Sequence, residues 1–95
     1  MNAEKLIRYL SAIAADHRLS VWHSALLTAI GLAAVRQGRS TAVKVSRTRI
    51  MALSHIRTLP TYHKYLRELQ EMDLIAYRPS YHPGVRSEVD IKRQP

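Results

Sequence analysis

The chain has no cysteine, so neither a disulfide framework nor a thiolate metal site is open to it. That absence fits a reducing compartment, and a cytoplasmic location is expected. Acid is scarce as well: seven Asp and Glu stand against fifteen Lys and Arg, a formal net charge of +8. The acids also avoid one long stretch. Between Asp16 and Glu68 lie Arg18, Arg36, Arg39, Lys44, Arg47, Arg49, Arg57, Lys64 and Arg67, nine bases with no acid among them. Once folded, such a run gives a continuous positive field, which suits nucleic acid first and an anionic membrane second. Solubility alone does not require acids to be excluded from half a chain. No apolar run reaches membrane-spanning length, so no membrane partner is expected. The start, Met1 to Asp16, is amphipathic and carries acids, unlike a secretory signal. Repeats and low-complexity segments are missing.

Catalytic and metal chemistry find no footing. His17 and His23 are six apart, His55 and His63 eight apart, and His82 stands alone. None forms the i, i+4 pair of a helical zinc site, so no metal and no cofactor are expected. There is no nucleophile elbow and no phosphate loop. Tyr62, Tyr65, Tyr77 and Tyr81 raise the thought of a tyrosine nucleophile for DNA strand transfer. The histidine cluster such a nucleophile needs is absent, and Tyr62 lies at core spacing. The chain is expected not to be an enzyme.

What is present is one domain's worth of structure: 95 residues, 46% of them hydrophobic. Asn2 caps a first helix with Glu4 in its first turn and a stripe of Leu6, Ile7, Leu10, Ile13 and Ala14, ending near His17. A second helix follows Ser20 and runs to Gln37, where Gly38 stops it. It is apolar on every side, and Trp22 reads as core. Ala42 to Val45 alternates as a short strand. Ser46 caps a third helix, Arg47 to Ser54, with Ile50, Met51 and Leu53 apolar. After a turn at His55-Ile56-Arg57, Leu59, Tyr62, Leu66, Leu69 and Met72 make the apolar stripe of a fourth helix. Thr58 is its N-cap and Pro60 fits its first turn, unless the proline pushes the start to Thr61. Its polar face carries Thr61, His63, Lys64, Arg67 and Glu68, with no acid in the first half, an order the helix dipole opposes. Leu74 to Arg78 and Arg86 to Lys92 read as strands joined by a loop with Pro83-Gly84 as its turn. Ile75 and Tyr77 face the helices, and Val89 and Ile91 share one face.

The helix pair Ser46–Ser54 and Thr58–Asp73, joined by a few residues and followed at once by a hairpin, resembles the winged helix-turn-helix family. The resemblance spans Ser20 to Lys92. It rests on Ser46-Arg47-Thr48-Arg49-Ile50-Met51-Ala52-Leu53-Ser54, then Thr61-Tyr62-His63-Lys64-Tyr65-Leu66-Arg67-Glu68-Leu69, then Leu74-Ile75. Small regulators of bacterial plasmids and transmissible elements, and of the antibiotic-resistance type, look most similar. The sequence departs from the pattern at Ile56-Arg57, in a turn often held by glycine, and at His63, where serine or arginine is common. The implied fold is α+β and mostly helical: a winged helix-turn-helix with an extra N-terminal helix and a small antiparallel sheet that includes a C-terminal β-hairpin wing. Residues 1–95 are then one domain, with an N-terminal helix in 1–18, a winged-helix core in 20–92 and a frayed tail in 93–95.

The resemblance places base recognition on Thr61, His63 and Lys64, with Thr58 at the helix start and Arg67 one turn on. The chemistry agrees: Lys donates to guanine acceptors, Thr offers a hydroxyl or a methyl, and His donates in either protonation state. Arg47, Thr48 and Arg49 open the preceding helix, where cations and backbone N–H groups suit a phosphate. Lys44 and Arg57 are further phosphate contacts. Arg78, Tyr81, His82 and Arg86 bracket the hairpin tip, which in this family straddles the backbone or enters the minor groove. The expected function is sequence-specific binding of double-stranded DNA by a small transcriptional regulator or accessory factor of a bacterial mobile element. The alternatives are a winged-helix docking module, for which the acid-free stretch has no use, and a plasmid replication or transfer accessory protein. RNA binding is less favoured, since the aromatic sheet face of the usual RNA modules is missing. A homodimer through the N-terminal helices is expected, because a small monomer rarely wraps a helix that is apolar all round.

Overall fold

A computed structural model describes residues 1–92; the tail at 93–95 lies outside the described residues. Four helices and three strands follow in the order α1 (Ala3–Ala15), α2 (Val21–Gln37), β1 (Val43–Val45), α3 (Arg47–Ser54), α4 (Leu59–Glu71), β2 (Ile75–Arg78) and β3 (Ser87–Ile91). The architecture is α+β and mostly helical. The strands form one antiparallel sheet in the order β1-β3-β2. Val43 faces Val89 across one ladder, and Ile75 faces Ile91 and Tyr77 faces Val89 across the other. Period-two alternation puts Val43, Val45, Ile75, Val89 and Ile91 on the buried face, against the helices.

Helix boundaries follow local chemistry. The Asn2 side chain accepts the Lys5 N–H at 2.9 Å, and the Ser46 hydroxyl accepts that of Arg49 at 3.4 Å. Gly38 takes φ 66°, a left-handed turn that ends α2 without a Cβ penalty. The turn between α3 and α4 has no glycine; His55 takes the left-handed conformation instead, with φ 61°, and Ile56 is buried. The departure expected at Ile56-Arg57 therefore sits one residue earlier, at the C-cap of α3. Thr58 holds the N-cap position of α4 but caps no backbone N–H; its hydroxyl donates to Thr61 Oγ1 at 2.9 Å.

Helix α2 is the hub, packed against α1, α3, α4 and β1. Leu26, Leu27, Ala29, Ile30 and Ala34 are buried by these neighbours within one chain. Gly31 lets α1 close on α2: a Cβ there would lie 3.1 Å from both Leu6 Cδ1 and Tyr9 Cε2. Four apolar assignments made from spacing are corrected. Trp22 is 39% exposed rather than core, while the next residue, His23, turns inward and is buried. Ile7 is 66% exposed; the buried line of α1 runs through Tyr9 and Ile13, with Leu6 and Leu10 beside it. Leu59 and Leu53 are also exposed, and buried Ser54 closes α3, its hydroxyl satisfied by the Ile50 carbonyl at 2.7 Å.

Candidate functional site

The seven carboxylates of the chain all have partners. On the helices Glu4 meets Arg8 and Glu71 meets Arg67; in the first connection Asp16 meets Arg18, and past α4 Asp73 meets Lys92. On the sheet, Asp90 holds Arg78 at 2.8 Å, and Glu88 takes both Lys44 and Arg78. The guanidinium of Arg78 and the Ala42 backbone N–H hold the Asp90 carboxyl down at about 2. Glu88 is lowered by Lys44 first and by Arg78 after it. Among the described residues, Arg36, Arg39, Arg47, Arg49, Arg57, Lys64 and Arg86 meet no carboxylate. Apart from Lys5 on α1, these cations stand at the end of α2, at the start of α3, in the α3–α4 turn, on α4 and on the hairpin.

A groove of about 940 Å³ lies between the start of α3, one side of α4 and the β2–β3 hairpin. Arg47 and Thr48 line it from α3, His63 and Gln70 from α4, and Tyr81 and Arg86 from the hairpin. No carboxylate lines it among the described residues. Five expected site residues, from 47 to 86, therefore meet around one opening. Gly84 shapes the hairpin tip with φ 80°, and Tyr81 stands almost fully exposed on it. Ser87 holds the base of the loop, accepting from Tyr77 Oη–H at 3.4 Å and from the Ser80 N–H at 3.1 Å. Tyr62 is the buried aromatic of α4. Burial, then the neighbouring Tyr77, raises its phenol well above the usual range, so it stays neutral.

The other expected residues fall elsewhere. Lys64 is exposed on α4, its ammonium 5.1 Å from the Tyr65 ring centroid. Arg67 is one turn on from His63 and leans on Glu71 at 3.7 Å. Thr61 is half-buried and accepts from Thr58. Arg57 is exposed in the turn before α4, and His82 at the hairpin tip donates its N–H to Ser80 Oγ at 3.3 Å. Arg49 and Lys44 line a separate cleft with Arg86. Lys44 and Arg78 are the two expected cations that the sheet carboxylates neutralise.

Sequence reasoning missed His23 and Gln70. Gln70 sits seven residues from His63, which puts it on the same side of α4, and that spacing was the available signal. His23 is buried where α2 meets α4. Its Nδ1 accepts the Ser20 backbone N–H at 2.9 Å, and its Nε2 lies 2.7 Å from Glu68 Oε1. A backbone N–H can only donate, so the ring proton is on Nε2 and points at the carboxylate. The Tyr65 ring closes the site edge-on at 5.0 Å. Glu68, expected on a solvent-facing surface, is instead a half-buried tie between α4 and the first turn of α2. The signal was Ser20-x-x-His23, the spacing of a capping box, in which His replaces the usual Glu or Gln.

Among the described residues, no group of three His, Cys, Asp or Glu could hold a metal ion, and no helix is long and apolar enough to cross a membrane. No protein-family model, curated protein or solved structure matches the chain.

Proposed function

We propose that the chain is a winged helix-turn-helix protein that binds double-stranded DNA sequence-specifically, with no enzyme activity. The observation that carries the reading is the acid-free groove lined by Arg47, Thr48, His63, Tyr81 and Arg86. Three further features support it. The helix pair α3–α4 is followed directly by the β2–β3 hairpin. Arg47, Arg49, Lys64 and Arg86, which meet no carboxylate among the described residues, stand on α3, α4 and the hairpin. And α4 begins without a side-chain cap or an acid in its first turn, which leaves its N-terminus open to phosphate.

On this reading α4 enters the major groove, with His63, Lys64 and Arg67 toward base edges. The start of α3 takes one backbone phosphate through Arg47 and Thr48, and the hairpin tip reaches the flanking backbone through Tyr81, His82 and Arg86. Lys44 and Arg78, tied to Glu88 and Asp90, hold the sheet together rather than the duplex. The setting of a small regulator or accessory factor of a bacterial mobile element rests on the resemblance alone. Selection of bound duplexes from a random library, followed by salt titration, is the test. If about five or six phosphates are neutralised, log K falls with log salt at a slope of roughly −4 to −6. Equal affinity at low and doubled salt, or no enriched sequence, overturns the reading. Lys64→Ala is expected to weaken the selected site by about 1–3 kcal/mol and random DNA far less.

A homodimer through α1 and α2 has a narrower footing than the all-round apolar α2 suggested, since one chain already buries Leu26, Leu27, Ala29, Ile30 and Ala34 of that helix. Ile7, Val21 and Trp22 remain exposed and are the surface it would use. Sedimentation equilibrium at micromolar concentration decides it: a single 10.9 kDa species excludes the dimer.

A further inference from the structure

A second opening of about 230 Å³ lies between the end of α2 and the start of α3, outside the duplex groove. Arg36 enters it from α2, Arg49 from α3 and Arg86 from the hairpin. These positions are far apart in sequence, and the fold alone brings them together. None meets a carboxylate among the described residues, and no carboxylate lines the cleft. Arg36 has a local reason to be where it is, the negative end of the α2 dipole. Arg49 has none: it stands in the first turn of α3, where the dipole opposes a cation. Three like charges around one cleft repel, and among the described residues no carboxylate pairs with any of them.

The walls are fixed. Gln37 makes two 2.8 Å hydrogen bonds to the Lys44 backbone, donating to its carbonyl and accepting from its N–H, so the end of α2 is fastened to β1. The Lys44 ammonium also borders the cleft but is held by Glu88. The apolar side is made by Leu32, Ala33, Ile50 and Leu53, and it gives the exposed Leu32 and Leu53 a purpose. An arginine triad beside a small apolar wall matches a phosphate ester, with the charge on the guanidinium forks and the sugar against the leucines.

We propose that Arg36, Arg49 and Arg86 form a phosphate-ester site in the α2–α3 cleft. The ester is either a duplex backbone phosphate beyond the groove, which rests on the DNA-binding reading, or a free sugar phosphate, which does not. Arg86 borders both openings, whereas Arg36 borders only this one and Arg47 only the groove. The test therefore compares Arg36→Ala with Arg47→Ala in the full chain. The probe is 2-deoxyribose 5-phosphate, followed by NMR on the arginine side-chain resonances, with 2-deoxyribose as the uncharged control.

The probe is expected to shift Arg36, Arg49 and Arg86, and Arg36→Ala to weaken it about tenfold while Arg47→Ala does not. If the natural ester is a backbone phosphate, saturating duplex displaces the probe and Arg36→Ala lowers the salt slope by about one. If it is a free ester, the probe binds beside the duplex or in the absence of any duplex binding, and the slope is unchanged. A probe that leaves the three arginines unmoved, together with an unchanged salt slope in Arg36→Ala, overturns the site. In that case Arg47→Ala still reports on the groove, so the DNA reading stands or falls separately.

Discussion

Arg47 and Arg49 at the start of α3, and Lys44 and Arg78 on the sheet, are four cations of one basic chain. Only the second pair meets carboxylates. Arg78 is gripped by Asp90 and Glu88, with Lys44 on the other side of Glu88, so three strands are laced across their outer face. Arg47 and Arg49 sit where the helix dipole disfavours them and meet no acid. A positive side chain therefore has two fates here, and the folded partner separates them while the residue type does not. The sheet cations belong to stability, and the α3 cations to whatever anion the protein meets.

The comparison breaks most visibly if charge reversal acts alike on both sides. Arg47→Glu with Arg49→Glu is expected to lower duplex affinity about a hundredfold or more at moderate salt. The melting temperature should shift by no more than about 2–3 °C, since neither residue holds a partner. Arg78→Ala is expected to do the reverse, lowering the urea midpoint while duplex affinity stays within about threefold. A large affinity loss for Arg78→Ala would move it back among the DNA contacts.

Acid sharpens the same contrast more gently. Asp90 is held at about 2 in the fold, below its unfolded value of about 3.9. Its contribution is fully present above that unfolded value and is lost as pH falls toward about 2. Stability should therefore decline between about pH 4 and pH 2, and Asp90→Asn should flatten that part of the profile. An identical acid profile for the variant would remove the lacing from the account. The smallest effect is a control outside both faces. The Tyr9 hydroxyl is buried without a hydrogen-bond partner, and burial raises its phenol further above the usual range. Tyr9→Phe should be neutral or stabilise by about 1 kcal/mol in denaturant titration, with DNA affinity unchanged.

The local signals were legible because each is carried by neighbours in sequence. Ser46 and Ser54 bound α3 as read, Gly38 ends α2, and the three strands lie within a residue of their expected ends. Partnerships across the chain were not legible. Nothing near Arg78 says that Asp90 will sit opposite it, since that depends on the hairpin register. His23 and Glu68 are 45 residues apart, so Glu68 looked like one more solvated acid. Trp22 and Ile7 were misplaced for a related reason: spacing says which residues share a face, but not which part of that face a distant element will cover. The candidate site residues were chosen from a charge pattern and a resemblance. Their division between a groove, a cleft and a salt-bridged sheet needed the fold.

The strand order has a bearing on how the protein is made. β3 lies between β1 and β2, so the first two strands to leave the ribosome have no ladder with each other. β1 must wait for a partner that begins more than forty residues later, at Ser87. Until then the inner faces of Val43, Val45 and Ile75 have only helices to lean on. The helical layer can gather early through local contacts, whereas the sheet closes in one late step that joins both ladders. A nascent chain stalled before Ser87 would therefore hold its helices but neither the hairpin nor a finished groove. Apart from the Lys44 N–H, which the Gln37 side chain holds, protection of the β1 amides from hydrogen exchange should appear together with that of β2, not before it.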